Sequence, residues 1–210
     1  MPFPTRMSVA RLSDDRVWVH SPVALDDALR EEIDALGHVA ALIAPNSLHH
    51  LFVGAWQAAY PQARTWAAPG LRRKCPQLRF DADLDDGLAA EWGDEIDSLV
   101  FRQSRIVNEV VFHHRPSRTL ILTDLIENFD ARTLTWPMRL IARLGGVLAP
   151  NGSTPRDFRA SFRGSGRAQA RACRDRVLGW NVQRIVLSHG LCVDTDAGAF
   201  LQRALAWLGP

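Results

Sequence analysis

The 210-residue sequence predicts a layered α/β fold, with sheets covered by helices. Two observations carry this. Short apolar or alternating runs suited to strands recur in both halves of the chain, and segments with helical spacing of apolar residues follow them. The 47% apolar and 23% charged fractions suit a chain that buries a real core, and no shift in composition marks an internal boundary, so one domain over residues 1–210 is expected.

Taken in order, residues 7–10 and 16–20 alternate around Ser13-Asp14-Asp15 and read as a β-hairpin. Pro22 breaks the pattern, and residues 25–36 place Leu25, Ala28, Leu29, Ile33 and Leu36 on one helical face before Gly37. Residues 39–44 form an apolar run of buried-strand type, interrupted by Pro45-Asn46-Ser47, with a helix expected from about His49 to Ala59. Residues 64–67 read as a strand and 69–93 mostly as loop. Strands follow at 98–101, 107–112 and 119–123, the last two joined by a turn at 114–118. Residues 135–148 read as a helix whose first turn tolerates Pro137. Helices at 156–162 and 167–178, a strand at 182–187 and a helix at 196–208 complete the chain.

A formal charge of +2 argues against a dedicated nucleic-acid binder. No segment has the apolar length of a membrane helix, and the N-terminus lacks a signal-type apolar core, so neither export nor a membrane partner is expected. Cys75, Cys173 and Cys192 fit no disulfide or cysteine-zinc spacing, which suits unreactive thiols in a cytoplasmic setting. Charge is nonetheless uneven. Eight acidic residues lie between Asp81 and Asp97, and eight arginines against two aspartates lie between Arg156 and Arg184. These read as solvated faces or, more sharply, as an arginine-lined mouth for an anionic substrate.

Seven histidines include two adjacent pairs. His49-His50, Asp124 and His189 each follow a predicted strand, where α/β folds tend to place sites. Imidazole and carboxylate together suit zinc or iron. Glu109 and one of His113 or His114 lie on or beside another strand, and alternation lets at most one of those two histidines face a site. His20 ends the hairpin and reads as a supporting or surface residue. The seven tryptophans read mainly as packing residues.

The order of these segments, and the wording PNSLHHLF, NEVVFHHRPSRTLILTDL and RIVLSHG, resembles an uncharacterised branch of the metallo-β-lactamase superfamily. Residues 41–50 resemble that family's strand and H-x-H-x-D-H motif, 119–124 the strand leading to its bridging aspartate, and 185–190 its last metal-histidine segment. The resemblance implies an αββα sandwich, two mixed sheets back to back with helices outside and a cleft at one sheet edge. The departures are as informative. The motif's first two histidines fall on Pro45 and Ser47, its aspartate on His49, and a further family histidine near Arg105 in Gln103-Ser104-Arg105.

The resemblance therefore implies at most one metal, zinc foremost with iron or manganese as alternatives, held by His49, His50, Asp124 and His189, or no metal at all. Four ligands would close a structural site, whereas three would leave room for water or substrate. In the open case the chain is expected to be a metal-dependent hydrolase of unassigned substrate, with Glu109 or His113 as proton shuttle. The alternative is a non-catalytic member with a structural or empty site, binding a small ligand or partner through a polar pocket of Asn46, Ser47, Asn108 and Glu109. Residues 127–163 have no counterpart in the family motifs, and with their arginines and Trp136 could form a lid or a contact between copies of a homo-oligomer.

Overall fold

A computed structural model describes residues 4–85, 92–102, 104 and 106–209. Strands β1 (Ser8–Arg11) and β2 (Arg16–His20) form the expected antiparallel hairpin. Helix α1 (Asp27–Leu36) starts where the Asp26 carboxylate accepts the Leu29 N–H at 2.8 Å and ends at Gly37. There φ is +145° and an added Cβ would lie 2.1 Å from the Asp15 carbonyl oxygen, so only glycine fits. Strand β3 (His38–Ala44) runs parallel to β2 and is buried along most of its length, as its unbroken apolar run predicts.

Helix α2 (Val53–Ala59) begins later than its sequence suggests. The Asn46 side-chain oxygen accepts the N–H groups of Leu48 (2.7 Å) and His49 (2.9 Å), holding the intervening residues in a turn. Strands β4 (Arg64–Ala67) and β5 (Ala82–Asp83) complete a five-stranded mixed sheet in sequence order, with a short helix, α3 (Leu71–Lys74), in the segment expected to be mostly loop. The acidic run around residue 81 is partly engaged, since Asp83 pairs with Arg72 and Asp97 with Arg115. Its members Asp86 and Glu91, like Gln103 and Arg105, lie outside the described residues.

The second sheet has the order β6 (Ile96–Phe101), β7 (Glu109–His114), β8 (Thr119–Leu122) and β9 (Arg184–Leu187). It is antiparallel except for the parallel pair β8–β9. Helices α4 (Trp136–Gly145), α5 (Arg156–Ser161) and α6 (Ser165–Leu178) lie between β8 and β9 in sequence, and α7 (Ala197–Ala204) follows. Three arginines of the basic run, all on α6, are engaged with backbone. Arg167, Arg171 and Arg174 turn to the carbonyl oxygens of Trp207, Leu208 and Gly209 and cap the C-terminal turn.

Alternation along each strand builds the layers. Trp18, Ile43 and Trp66 of the first sheet face Val100, Val110, Phe112 and Ile121 of the second, with Trp92 between them. Val17, Val19, Val39 and Leu42 point the other way, onto Ile33 and Trp56 of the outer helices. On the far face Leu99, Val111, Leu120 and Ile185 pack against Phe158, Val177 and Leu201. Both sheets are thus apolar on both faces, which produces the αββα order. Among the described residues no helix is long and apolar enough to cross a membrane.

Phe112 touches Trp18 at 5.1 Å between ring centroids and meets His20 and Trp92 edge-on. Phe112→Ala should therefore lower unfolding free energy by about 3–5 kcal/mol, measured by urea denaturation. A change below about 1 kcal/mol would show that the contact between the sheets lies elsewhere.

Candidate metal centre

Three chain segments deliver side chains to one edge of the sandwich. Asp124 follows β8 by two residues, His189 follows β9 by two, and His49 lies on the turn after β3 in the other sheet. All three are buried. The Nε2 atoms of His49 and His189 are 3.1 Å apart, and the Asp124 carboxylate oxygens lie 3.3 Å from each.

The other ring nitrogens fix the orientation. His189 Nδ1 donates to the carbonyl oxygen of Pro4 at 3.0 Å, because a carbonyl can only accept. In the neutral ring this leaves the Nε2 lone pair facing His49 and Asp124. His49 Nδ1 shares a 2.6 Å hydrogen bond with the Ser21 hydroxyl. Two imidazole nitrogens facing each other this closely need a proton or another cation between them. Two nitrogens and a carboxylate that converge in this way can hold a metal ion.

The backbone around the group is tied down on each side. Arg6 donates to the carbonyl oxygens of Leu187 (2.5 Å) and Gly190 (2.8 Å), strapping the N-terminal segment over the end of β9. Gly190 has φ +90°, and an added Cβ would lie 2.2 Å from the Asn128 carbonyl oxygen, so the turn after His189 requires glycine. Asn46 donates to Asp124 Oδ2 (2.6 Å) and to the Thr123 hydroxyl (2.8 Å) while its oxygen holds the His49 turn. One buried amide thus joins the histidine turn to the aspartate turn.

Glu109 lies behind Asp124. Fully buried, it accepts the backbone N–H groups of Thr123, Asp124 and Leu125 at 2.8, 2.7 and 2.8 Å. Burial, then the charge of Asp124, push its carboxyl up to about 7, against the hydrogen bonds from the 123–124 segment. Burial also works to raise Asp124, but the hydrogen bonds from His189 and His49 outweigh it and hold the carboxylate well below its ordinary range. Burial pulls His189 down, and the same contact with Asp124 more than reverses it, raising the imidazole above its ordinary value.

Not every expected residue joins the group. His50 points away, with its ring nitrogens 3.7 Å from Cys75 Sγ, because the Asn46-anchored turn sends adjacent side chains in different directions. His113 lies four residues along β7 from Glu109, on the order of 13 Å. It stacks on Trp180 at 5.3 Å and faces Asp97 at 3.6 Å, too remote to shuttle protons at the His–Asp–His group. Glu109 is near the group but meets the 123–125 backbone rather than open space, so it positions Asp124. His114 bonds Ser117. His20 is a core residue stacked on Trp18 at 5.4 Å, and burial and then His49 depress it to about 3.

A pocket of about 310 Å³ opens on the group. Asp124 and His189 form part of its polar wall, with Glu127 and Asp157, and Leu48, Val107, Phe129, Ile141, Val147 and Phe158 supply apolar walls. Glu127 was not singled out from the sequence. Burial, opposed by His189 and reinforced by Asp124, Asp157 and Glu109, raises its carboxyl to about 7. Its spacing three residues after Asp124 was the only available signal. The polar pocket expected from Asn46, Ser47, Asn108 and Glu109 divides. Ser47 and Asn108 line a separate cavity beside Arg73 and Lys74, while Asn46 and Glu109 are buried in the hydrogen-bond network.

The fold is that of metallo-β-lactamases and flavodiiron cores. A fragment of a diflavin flavoprotein A 5 from Nostoc sp. PCC 7120, described as putative, superimposes with a TM-score of 0.66 at 12% identity, over 97% of this chain and 81% of that one. A metallo-β-lactamase from Pontibacter korlensis gives 0.62 at 11% identity, over 95% and 85%. The Flv1 flavodiiron core from Synechocystis sp. PCC6803 gives 0.63 at 12%, covering 92% of this chain, which spans only 50% of that protein's length. At such identities the likeness is one of fold. No curated protein sequence matches the chain. The chain belongs to the family described as Domain of unknown function (DUF4336), whose model matches residues 1–135.

Glu109→Gln replaces an acceptor of three N–H groups by an amide with one oxygen and a donor end. It should cost about 1–3 kcal/mol in unfolding free energy, read by urea denaturation. An unchanged midpoint would mean that the 123–125 turn does not depend on this carboxylate.

Proposed function

We propose that the chain is a hydrolase using one divalent metal ion, held by His49, Asp124 and His189, and acting on a substrate with an apolar portion. The observation that carries this reading is the His189 ring, whose Nδ1–H is committed to the Pro4 carbonyl while Nε2 faces His49 and Asp124 beside an apolar pocket. Two imidazoles and a carboxylate suit zinc first, with iron or manganese also compatible. Three protein donors rather than four support an open, catalytic type of site over a closed structural one.

A bound ion there would supply Lewis acidity to a carbonyl or phosphoryl oxygen and to attacking water. The protein's own groups do the rest. Leu48, Phe129, Val147 and Phe158 seat the apolar part of the substrate and exclude water around the polar wall. Glu127, whose carboxyl lies near neutrality on that wall, is suited to take a proton from the attacking water and return it to the leaving group. Asn46 and Glu109 hold Asp124 against the pull of a substrate.

Protein purified without a histidine tag should contain close to one divalent ion per chain by elemental analysis, and His189→Ala should lose it. Hydrolysis of generic esters or phosphodiesters should vanish in His189→Ala and fall by about 10²–10⁴-fold in Glu127→Gln, whose metal content should stay unchanged. A ratio near zero that added metal does not raise would overturn the metal reading. A full complement with no turnover on any of these substrates would instead favour a non-catalytic ligand-binding member.

Asp124 raises the affinity of His189 for a proton, so ion and proton compete for the same nitrogen. Apparent metal affinity should therefore strengthen as pH rises through the histidine range, with proton release on binding, measured by calorimetry in two buffers of different ionisation enthalpy. Affinity that weakens with rising pH would contradict the assignment of His189.

A further inference from the structure

Helix α4 turns an apolar stripe outward. Trp136, Leu140 and Leu144 recur at i, i+4 and i+8 and are 77%, 50% and 61% exposed, while Met138 and Ala142 on the opposite side pack on Phe129, Leu134 and Val147. Helical geometry puts Arg139 and Arg143 along one border of this stripe and Ile141, 60% exposed, along the other. Ile141 is also part of the wall of the pocket that contains Asp124 and His189. The stripe is therefore continuous with the mouth of the candidate site.

The helix itself carries charge of one sign, from Arg139 and Arg143. Arg132, before the helix, is paired with Asp130, and Asp157 follows Arg156, so the basic border rests on Arg139, Arg143 and Arg156. Arg156 lies against Gly146, the left-handed cap of α4, which extends the basic border past the helix end. A two-fold contact between copies sets a patch against itself, and here that would bring arginine rows together with no carboxylate on the helix to answer them. An apolar stripe with a tryptophan at one end and arginines beside it matches instead the boundary of a bilayer bearing anionic headgroups.

We propose that α4 docks the protein on an anionic lipid surface, with Trp136, Leu140 and Leu144 entering the acyl boundary and Arg139 and Arg143 meeting the headgroups. This orientation would bring the pocket mouth at Ile141 to the surface. The contact is peripheral, since α4 is ten residues long and spans nothing. It differs from the sequence expectation of no membrane partner, which rested on the lack of a spanning segment or signal.

Co-sedimentation with sucrose-loaded vesicles tests it without any ion or turnover, so its outcome is separable from the hydrolase reading. The wild-type protein should pellet with phosphatidylcholine vesicles containing phosphatidylglycerol and much less with phosphatidylcholine alone. Arg139→Gln with Arg143→Gln should weaken partitioning by about thirtyfold. Trp136→Ser, Leu140→Ser and Leu144→Ser together should weaken it by more than about tenfold. All five side chains are exposed, so circular dichroism should report unchanged folding. Failure of the wild type to pellet with anionic vesicles would overturn the proposal, as would equal pelleting of every variant. A dimer in sedimentation velocity that the triple serine variant dissolves, with no vesicle binding, would overturn it in favour of a second copy.

Discussion

One buried carboxylate organises the edge of the sandwich where His49, Asp124 and His189 meet. Glu109, at the start of β7, gathers three consecutive backbone N–H groups from the turn after β8 and touches the side-chain nitrogen of Asn46 at 3.5 Å. Removing a carboxyl from water is costly, and only such a set of donors makes the burial tolerable. The return is geometric. The turn that carries Asp124 can no longer move independently of β7, and Asn46 extends that constraint to the turn that carries His49 in the other sheet. His189 is held from a third direction, by Pro4, Arg6 and the close approach of Asn128 to Gly190. Three side chains far apart in sequence thereby share one small volume.

The chemistry follows from where that volume lies. Its inner side is the buried hydrogen-bond network, and its outer side is an apolar pocket. In such surroundings charge interactions are strong, so Asp124 stays ionised between two imidazoles while Glu127, with less help, moves toward neutrality. The two carboxyls differ because their partners differ, and that difference supports giving one a holding role and the other a proton-transfer role. The likeness to solved structures is one of fold, since the same sandwich is found in a flavodiiron core and in a metallo-β-lactamase.

Much of the fold was legible because strands and helices here obey local patterns. Residues 39–44 and 120–122 are unbroken apolar runs, as strands buried on both faces must be. Asp26 and Gly37 bracket α1 as a helix start and stop should. The site was legible only to the level of which segments contribute. His49 and His50 are chemically identical neighbours on a local turn held by Asn46, and the long-range bond from Asn46 to Asp124, which sets that turn beside the aspartate, has no sequence signature. Glu109 lies beside the group, but its hydrogen bonds depend on a turn fourteen to sixteen residues further along. His113 belonged to the right strand and the wrong end. Glu127 was invisible because its environment is assembled from Glu109, Asp124, Asp157 and His189 and from pocket walls spread between Leu48 and Phe158, and the carbonyl partners of three α6 arginines lie at the far C-terminus.

The central claim is that the inner histidine of the pair, not the outer, belongs to a metal centre with Asp124 and His189. Calorimetric titration of zinc into metal-stripped His49→Ala and His50→Ala proteins tests this most directly. The account predicts one site per chain in His50→Ala, with affinity close to that of the wild type, and no measurable site in His49→Ala. Binding kept by His49→Ala and lost by His50→Ala would contradict it.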